Sequence, residues 1–278
     1  MSVSEACENL IERQRHRIFC IRQQQRCDRS IEALLARSSG YHTSLVPAER
    51  KALFSAAAKL RREIEGGKID QFPANSDLPR LVIASAASRA TWDQLRGDVE
   101  KRMIKLARAL PAISFVHAVR GFGELGLAVI VGEAGDLGNY ANPAKLWKRL
   151  GLAVFDGHRQ GSPGEGATKD DWIRHGYNRQ RRAEVWVFCS DVLFRAQWRG
   201  AKDDAPAHPI GPYGEAYAER KAWVLARGWT PAHADADARR YMTKRLLRDL
   251  WRAWRDAGSD LEPRLRVHPA EDTPRAAA

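Results

Sequence analysis

The chain has 278 residues, of which 44% are hydrophobic and 29% charged, and its formal net charge is +12. That length can bury a core as one large or two small domains, and no run of eighteen apolar residues offers a membrane span. The basic balance favours an anionic partner, and without a membrane element nucleic acid is the first candidate. Cys7, Cys20, Cys27 and Cys189 form no C-x-x-C pair and keep no metal-ligand spacing with the histidines, so they read as reduced thiols and no metal site is expected. The opening MSVSEACENLIERQR lacks the apolar core of a signal peptide, which makes cytoplasm the default.

Residues 1–37 contain neither Gly nor Pro and carry Cys7, Ile11, Ile18, Ile21 and Leu34-Leu35 among Arg, Gln and Glu. This thin apolar stripe predicts a long surface helix or half of a coiled-coil pair. Its arginines (Arg13, Arg15, Arg17, Arg22, Arg26, Arg29) read first as a solvated face and second as nucleic-acid contacts. Gly40 ends the helix, and Pro47 suits the first turn of the next. Leu53, Ala56, Leu60 and Ile64 mark one face of that second helix up to Gly66-Gly67. The pair predicts an antiparallel hairpin, with residues 66–80 as a linker, so that 1–80 forms an N-terminal hairpin/coiled-coil domain able to pair with a second copy. Thr91 followed by Gln94 is a capping-box signature. Leu95, Val99, Met103, Leu106 and Leu110 then run at helical spacing to Pro111, a connecting helix over 88–110.

The stretch from Arg120 to Leu152 opens with Gly121-Phe122-Gly123 and passes into the apolar run Leu125–Val131. It breaks at Gly135-Asp136-Leu137-Gly138 and resumes as a helix from Pro143 to Leu150 before Gly151. Two readings stand for the glycine elbow. It can bring backbone amides at a helix start to a phosphate, as in a helix-hairpin-helix-like nucleic-acid-binding unit, or it can be a packing device.

Residues 157–166 read as a polar Gly-rich loop with no core period, suited to cradling phosphate or to a surface excursion. In the segment 172–182, Asn178 is placed to cap a helix whose first turns hold Arg179, Arg181 and Arg182. Cations at a helix start oppose the dipole, so a compensating anion is expected. It is either a phosphate held in guanidinium forks or one of Glu184, Asp170 and Asp171. From Ala183 the helix turns apolar. After a Pro-rich loop at 200–212, helices are predicted from Tyr213 to Arg227 and from Ala234 to Ala257. The last has a buried face of Tyr241, Leu246-Leu247, Leu250, Trp251 and Trp254. Its charged side carries Arg240, Lys244, Arg248, Arg252 and Arg255. The tail 258–278 reads as disordered.

Gly121-Phe122-Gly123, Ala128, Gly135 with Tyr140, and Gly151-Leu152 resemble the C-terminal transposase domain of the DEDD-type insertion-sequence transposases, the RNA-guided bridge recombinases. The similarity continues through roughly Arg174 to Trp198; Arg120 stands where that family has proline. The resemblance implies a helical transposase-like domain over 81–257, with its core at 105–257, in an all-α protein. It implies DNA transposition or recombination as the activity, DNA and a structured guide RNA as partners, and a bacterial or phage-borne, nucleoid-associated setting. The family's serine nucleophile falls at Arg159 or Gln160 in this register, which leaves Ser162 as the nearby hydroxyl candidate. No strand ending in an aspartate precedes Arg120, so the metal-binding RuvC-like half is expected to be absent. No cofactor is then expected in this chain, and Mg2+ enters only if a partner supplies that half.

The expected nucleic-acid contacts are Gly121 and Gly123 in the elbow, Arg159 and Lys169 around the polar loop, and Arg174, His175, Arg179, Arg181 and Arg182 in the basic segment. Lys244 and Arg248 on the last helix complete them. The elbow and the arginine-led helix should then converge on one cationic surface. The alternative is a non-catalytic helical DNA- or RNA-binding or scaffold protein derived from a mobile element or phage.

Overall fold

A computed structural model describes residues 1–257 except 71, 74, 156, 165, 203 and 204, so the tail expected to be disordered lies outside the described residues. Helices account for 71% of the chain, against two small antiparallel strand pairs, and the protein is all-α. No helix among the described residues is long and apolar enough to cross a membrane. By packing, the chain divides into Arg15–Arg102 and a larger unit made of Met1–Gln14 with the chain from Met103 onward.

The smaller unit is built from α1 (Val3–Ser38), α2 (Pro47–Glu65) and α3 (Leu78–Ala107), of which α1 and α3 also run on into the larger unit. Pro47 sits at the start of α2, and Glu49 reaches back to accept from the Val46 amide at 3.3 Å. Ile31, Leu35, Ala36, Ala57, Ile64 and Val82 form its core. The connecting helix begins about a dozen residues earlier than its sequence signature suggests. Thr91, read as a cap, lies in the middle of α3. Nothing between Pro79 and Thr91 breaks a helix, and the Ala-rich run 84–90 propagates it. Ser88 accordingly donates back to the Ala84 carbonyl at 3.0 Å, a mid-helix bond.

In the larger unit, a short helix α4 (Ile113–Ala118) leads through the glycine elbow into α5 (Glu124–Ala134). From Gly126 to Val131 every residue of α5 is buried, as expected of a helix that is apolar all round. A 3-10 turn (Leu137–Asn139) and α6 (Pro143–Arg149) follow, the latter capped by Asn142, which accepts from the Lys145 amide. Residues 157–166 are not wholly irregular, because β1 (Val154–Phe155) pairs with β2 (His158–Arg159) in a hairpin. Next come α7 (Lys169–His175) and α8 (Arg179–Trp186), which continues through a π turn (Val187–Val192) into α9 (Leu193–Gln197). A second strand pair, β3 (Trp198–Arg199) with β4 (His208–Pro209), precedes α10 (Pro212–Leu225) and α11 (Pro231–Asp256).

α11 packs along α10 and buries Ala234, Ala238, Met242, Leu246, Leu250 and Trp254 among others. Trp254 is buried and Trp251 half-buried, and both indoles are satisfied. Trp251 donates to the Tyr140 carbonyl and Trp254 to Asp136 Oδ1, each at 2.9 Å. The π turn displaces a carbonyl from the regular helical ladder. Thr243 on α11 meets it, donating to the Cys189 carbonyl at 3.0 Å.

Candidate nucleic-acid interface

α8 begins as expected: Asn178 Oδ1 accepts from the Arg181 amide at 2.9 Å. Its three arginines then diverge. Arg179 is exposed. Arg181 points inward, where its Nε donates to Glu133 Oε2 at 3.3 Å and its Nη1 to the Arg149 carbonyl at 3.2 Å. The ion pair is well covered, with the two side chains 14% and 10% exposed. Burial, then the Arg149 charge, pull the Arg181 pKa down. Arg181 is therefore corrected from a phosphate contact to a structural ion pair. Its partner is none of the three carboxylates weighed from the sequence, and one of those, Asp171, instead caps α7 with Thr168.

Arg182 turns elsewhere. Gly151 makes the room, because a Cβ built there would lie 3.2 Å from both Cβ and Cδ of Arg182, at a φ of +77°. The guanidinium lies over the Trp186 ring at 5.5 Å, and its Nη1 is buried with no hydrogen-bond partner. On α11, Arg240 and Lys244 stand one turn apart on the same face. Lys244 Nζ lies 5.0 Å from the centre of the Trp147 ring. Burial, then the charges of Arg159 and Arg182, push Arg240 down to about 10. Burial, then Arg240, lower Lys244, and Arg182 is lowered chiefly by burial. Asp237 offsets part of this repulsion, but its carboxylate already accepts from Arg220 at 2.6 Å. Arg159, which is exposed, and the half-buried Arg182, Arg240 and Lys244 thus form a cationic cluster in which none pairs with a carboxylate among the described residues.

Gln160 holds the hairpin side of this cluster in place. It is 7% exposed, its Nε2 lies within hydrogen-bonding distance of the carbonyls of Lys148 (3.1 Å) and His175 (2.7 Å), and its Oε1 accepts from the Ala153 amide. One side chain thereby fastens the β1–β2 hairpin, and Arg159 with it, to the ends of α6 and α7. His175 packs edge-on against Phe155 at 5.4 Å, and Lys148 lies over the same ring. The Trp147 Nε1 and His175 Nδ1 atoms are buried and without hydrogen-bond partners. Lys169 and Arg174 are exposed on α7, flanking Trp172 and Ile173, which are 45% and 68% exposed. Ser162 is exposed too. Its hydroxyl donates to the Pro163 carbonyl at 3.3 Å, and no base is hydrogen-bonded to it among the described residues.

The elbow belongs to a different place. Gly121 has φ +88°, and a Cβ there would fall 2.2 Å from the Ala196 Cβ, while Gln197 donates to the Arg120 carbonyl at 2.8 Å. It is a packing glycine against α9. Since α8, the π turn and α9 form one continuous rod, Leu193 and Ala196 lie roughly 16–21 Å along the axis from Arg182 at a rise of about 1.5 Å per residue. The expected convergence of elbow and arginine helix is corrected accordingly. Gly123 is exposed, but the start of the α5 helix it precedes already holds an anion, Glu124, ion-paired to Arg108 at 3.0 Å and within hydrogen-bonding distance of His117 Nε2 at 3.2 Å. Those partners keep the Glu124 carboxyl below its ordinary range. Arg248, half-buried, is drawn to Asp249 at 3.1 Å.

Of the contacts expected from the sequence, the fold gathers Arg159, Arg182 and Lys244, with His175 bordering the hairpin. It adds Arg240, Trp147 and Gln160. The i,i+4 spacing of Arg240 and Lys244 was visible in the sequence, whereas nothing there marks Trp147 or Gln160. No protein-family model, curated protein or solved structure matches this chain. Among the described residues no group of three or more His, Cys, Asp or Glu is placed to hold a metal ion.

Proposed function

We propose that this chain is a nucleic-acid-binding protein of transposase type that grips a sugar-phosphate backbone through the hollow between the β1–β2 hairpin, α8 and α11. Acting in DNA transposition or recombination, it leaves strand cleavage to a partner that supplies the metal-binding half. The observation that carries this reading is a set of four neighbouring cations without carboxylates, three of them half-buried and two of those one turn apart on α11. Holding like charges together away from bulk water costs folding free energy, and a phosphate is the anion whose oxygens match guanidinium forks. The exposed Lys169, Arg174 and Arg179 extend the positive field around the opening. The transposase assignment is supported by the sequence resemblance alone.

The test is equilibrium binding of labelled single- and double-stranded oligonucleotides across a salt series. If about four phosphates are neutralised on duplex DNA, affinity should fall roughly a hundredfold between 50 and 200 mM salt. Arg240→Gln combined with Lys244→Gln should flatten that dependence. No binding at low salt would leave a helical scaffold whose basic surface serves another end. Strand exchange by the chain alone, abolished in Ser162→Ala, would overturn the non-catalytic part.

A further inference from the structure

Two of the four cations gather at α6, Lys244 over the Trp147 ring and Arg182 against Gly151, whereas a surface that follows a single strand needs its cations strung out along the path of successive phosphates. Arg182, Arg240 and Lys244 are each half-buried, and the exposed Arg159 adds its charge from the hairpin. Four positive charges face one another here, and the nearby Asp237 is engaged by Arg220. An internal phosphodiester brings a single negative charge and two free oxygens. A phosphate monoester brings nearly two charges and three acceptor oxygens. The donors on hand match the second: the Arg182 Nη1 and the Trp147 Nε1, both buried and both without a hydrogen-bond partner, stand on two of the elements that border the hollow. Trp147 is tied to it by Lys244 lying over its ring.

Resting on the proposed nucleic-acid reading, we infer that the hollow formed by Arg159, Arg182, Arg240 and Lys244 is a terminal-phosphate pocket, which takes the dianionic monophosphate at the end of a polynucleotide strand. Internal diesters then lie along the exposed cations outside, and the pocket sets where on the strand the protein sits.

The full chain would be titrated with an internally labelled oligonucleotide of one sequence, carrying hydroxyls at both ends, a 5′-monophosphate, or a 3′-monophosphate. One phosphorylated end should bind about tenfold tighter or more than the hydroxyl-ended strand, the equivalent of one additional charge-assisted hydrogen bond. Arg240→Gln and Lys244→Gln should each weaken binding of all strands and remove that preference, so that in the variant the phosphorylated strands bind no tighter than the hydroxyl-ended one. Inorganic phosphate alone should raise the melting temperature of the wild type but not of Arg240→Gln, and this reads the pocket without any polynucleotide. If phosphate and a phosphorylated end both act but short phosphorylated mononucleotides compete equally with phosphorylated strands, the ligand is a free phosphate ester and the strand-end assignment is overturned. Equal affinity for all three strands, with strong salt dependence intact, overturns the pocket and leaves the backbone-binding function standing. No binding of any strand overturns both.

Discussion

The smaller unit and the α8–α11 hollow withdraw the same residue type from water and treat it in opposite ways. In the smaller unit, Arg17 is 3% exposed, and its Nε meets Glu100 at 2.7 Å. Arg61, 8% exposed, is ringed by Asp28, Glu32 and Glu65 at 3.4, 3.0 and 2.7 Å. Those guanidiniums are neutralised, and the Arg61 pKa is held up by its partners against the pull of burial. In the hollow, burial and neighbouring cations both push Arg240 down, and no carboxylate closes on it among the described residues. A buried cation with its own counter-ion is part of the scaffold. One left without is a candidate anion site, held at a cost in stability. The comparison also explains why a net charge of +12 says little about where a ligand binds. Some cations, such as Arg17, Arg61 and Arg181, are held in covered ion pairs, and the hollow is distinguished by the lack of them.

The largest effect should come from unbalancing the neutralised side. Glu100→Gln removes the carboxylate that meets the buried Arg17 guanidinium, which costs about 3 kcal/mol. The same carboxylate also receives Arg96 at 2.9 Å, so two guanidiniums lose it at once. Hydrogen exchange of the amides in residues 15–102 should report the loss, with the exchange of α11 amides as the internal control. If those 15–102 amides keep wild-type protection, the Arg17 pair is not holding that unit together. Next in size is Glu133→Gln, which frees Arg181 on α8 and weakens the Gln14 contact made by the same carboxylate at 3.0 Å. A destabilisation of about 2 kcal/mol is expected in urea unfolding. The salt slope for oligonucleotide binding should stay unchanged. A steeper slope would mean that the released Arg181 reaches phosphate and belongs to the interface after all.

What could be read in advance divides along the same physical line. Element type follows from periodicity, so the long first helix, the Pro47 start of α2, the buried apolar run of α5 and the Asn178 cap were all legible locally. The start of α3 was misplaced because Thr91 and Gln94 have a cap's spacing, while the alanines before them carry the helix through; a local signature lost to propensity over a longer window. The elbow failed for a different reason. Gly121 looks the same whether it faces a phosphate or the Ala196 methyl group, and only tertiary packing decides. Arg181 and Arg182 are adjacent and chemically identical. One is neutralised by a carboxylate 48 residues upstream, and the other faces cations on the hairpin and on α11. No sequence window holds that information, because pairing of charges is a property of side-chain direction after the helices have packed.

The smallest effect is the most discriminating, since it runs against the usual sign. Truncating a half-buried arginine normally destabilises a protein through lost packing and lost pairs. Arg240 has no pair among the described residues, and it repels Arg159 and Arg182. Arg240→Gln keeps most of the aliphatic stem and removes the charge, so it should stabilise the larger unit by about 1 kcal/mol, the scale of one like-charge contact at an intermediate effective dielectric. That corresponds to a rise of about 2–4 °C in melting temperature for a unit of this size. The same variant should bind oligonucleotides more weakly. A gain in stability with a loss of affinity is the signature of a charge kept for a ligand. A loss of both would mean that Arg240 is paired in solution like Arg17 and Arg61, and the hollow would then be one more part of the scaffold.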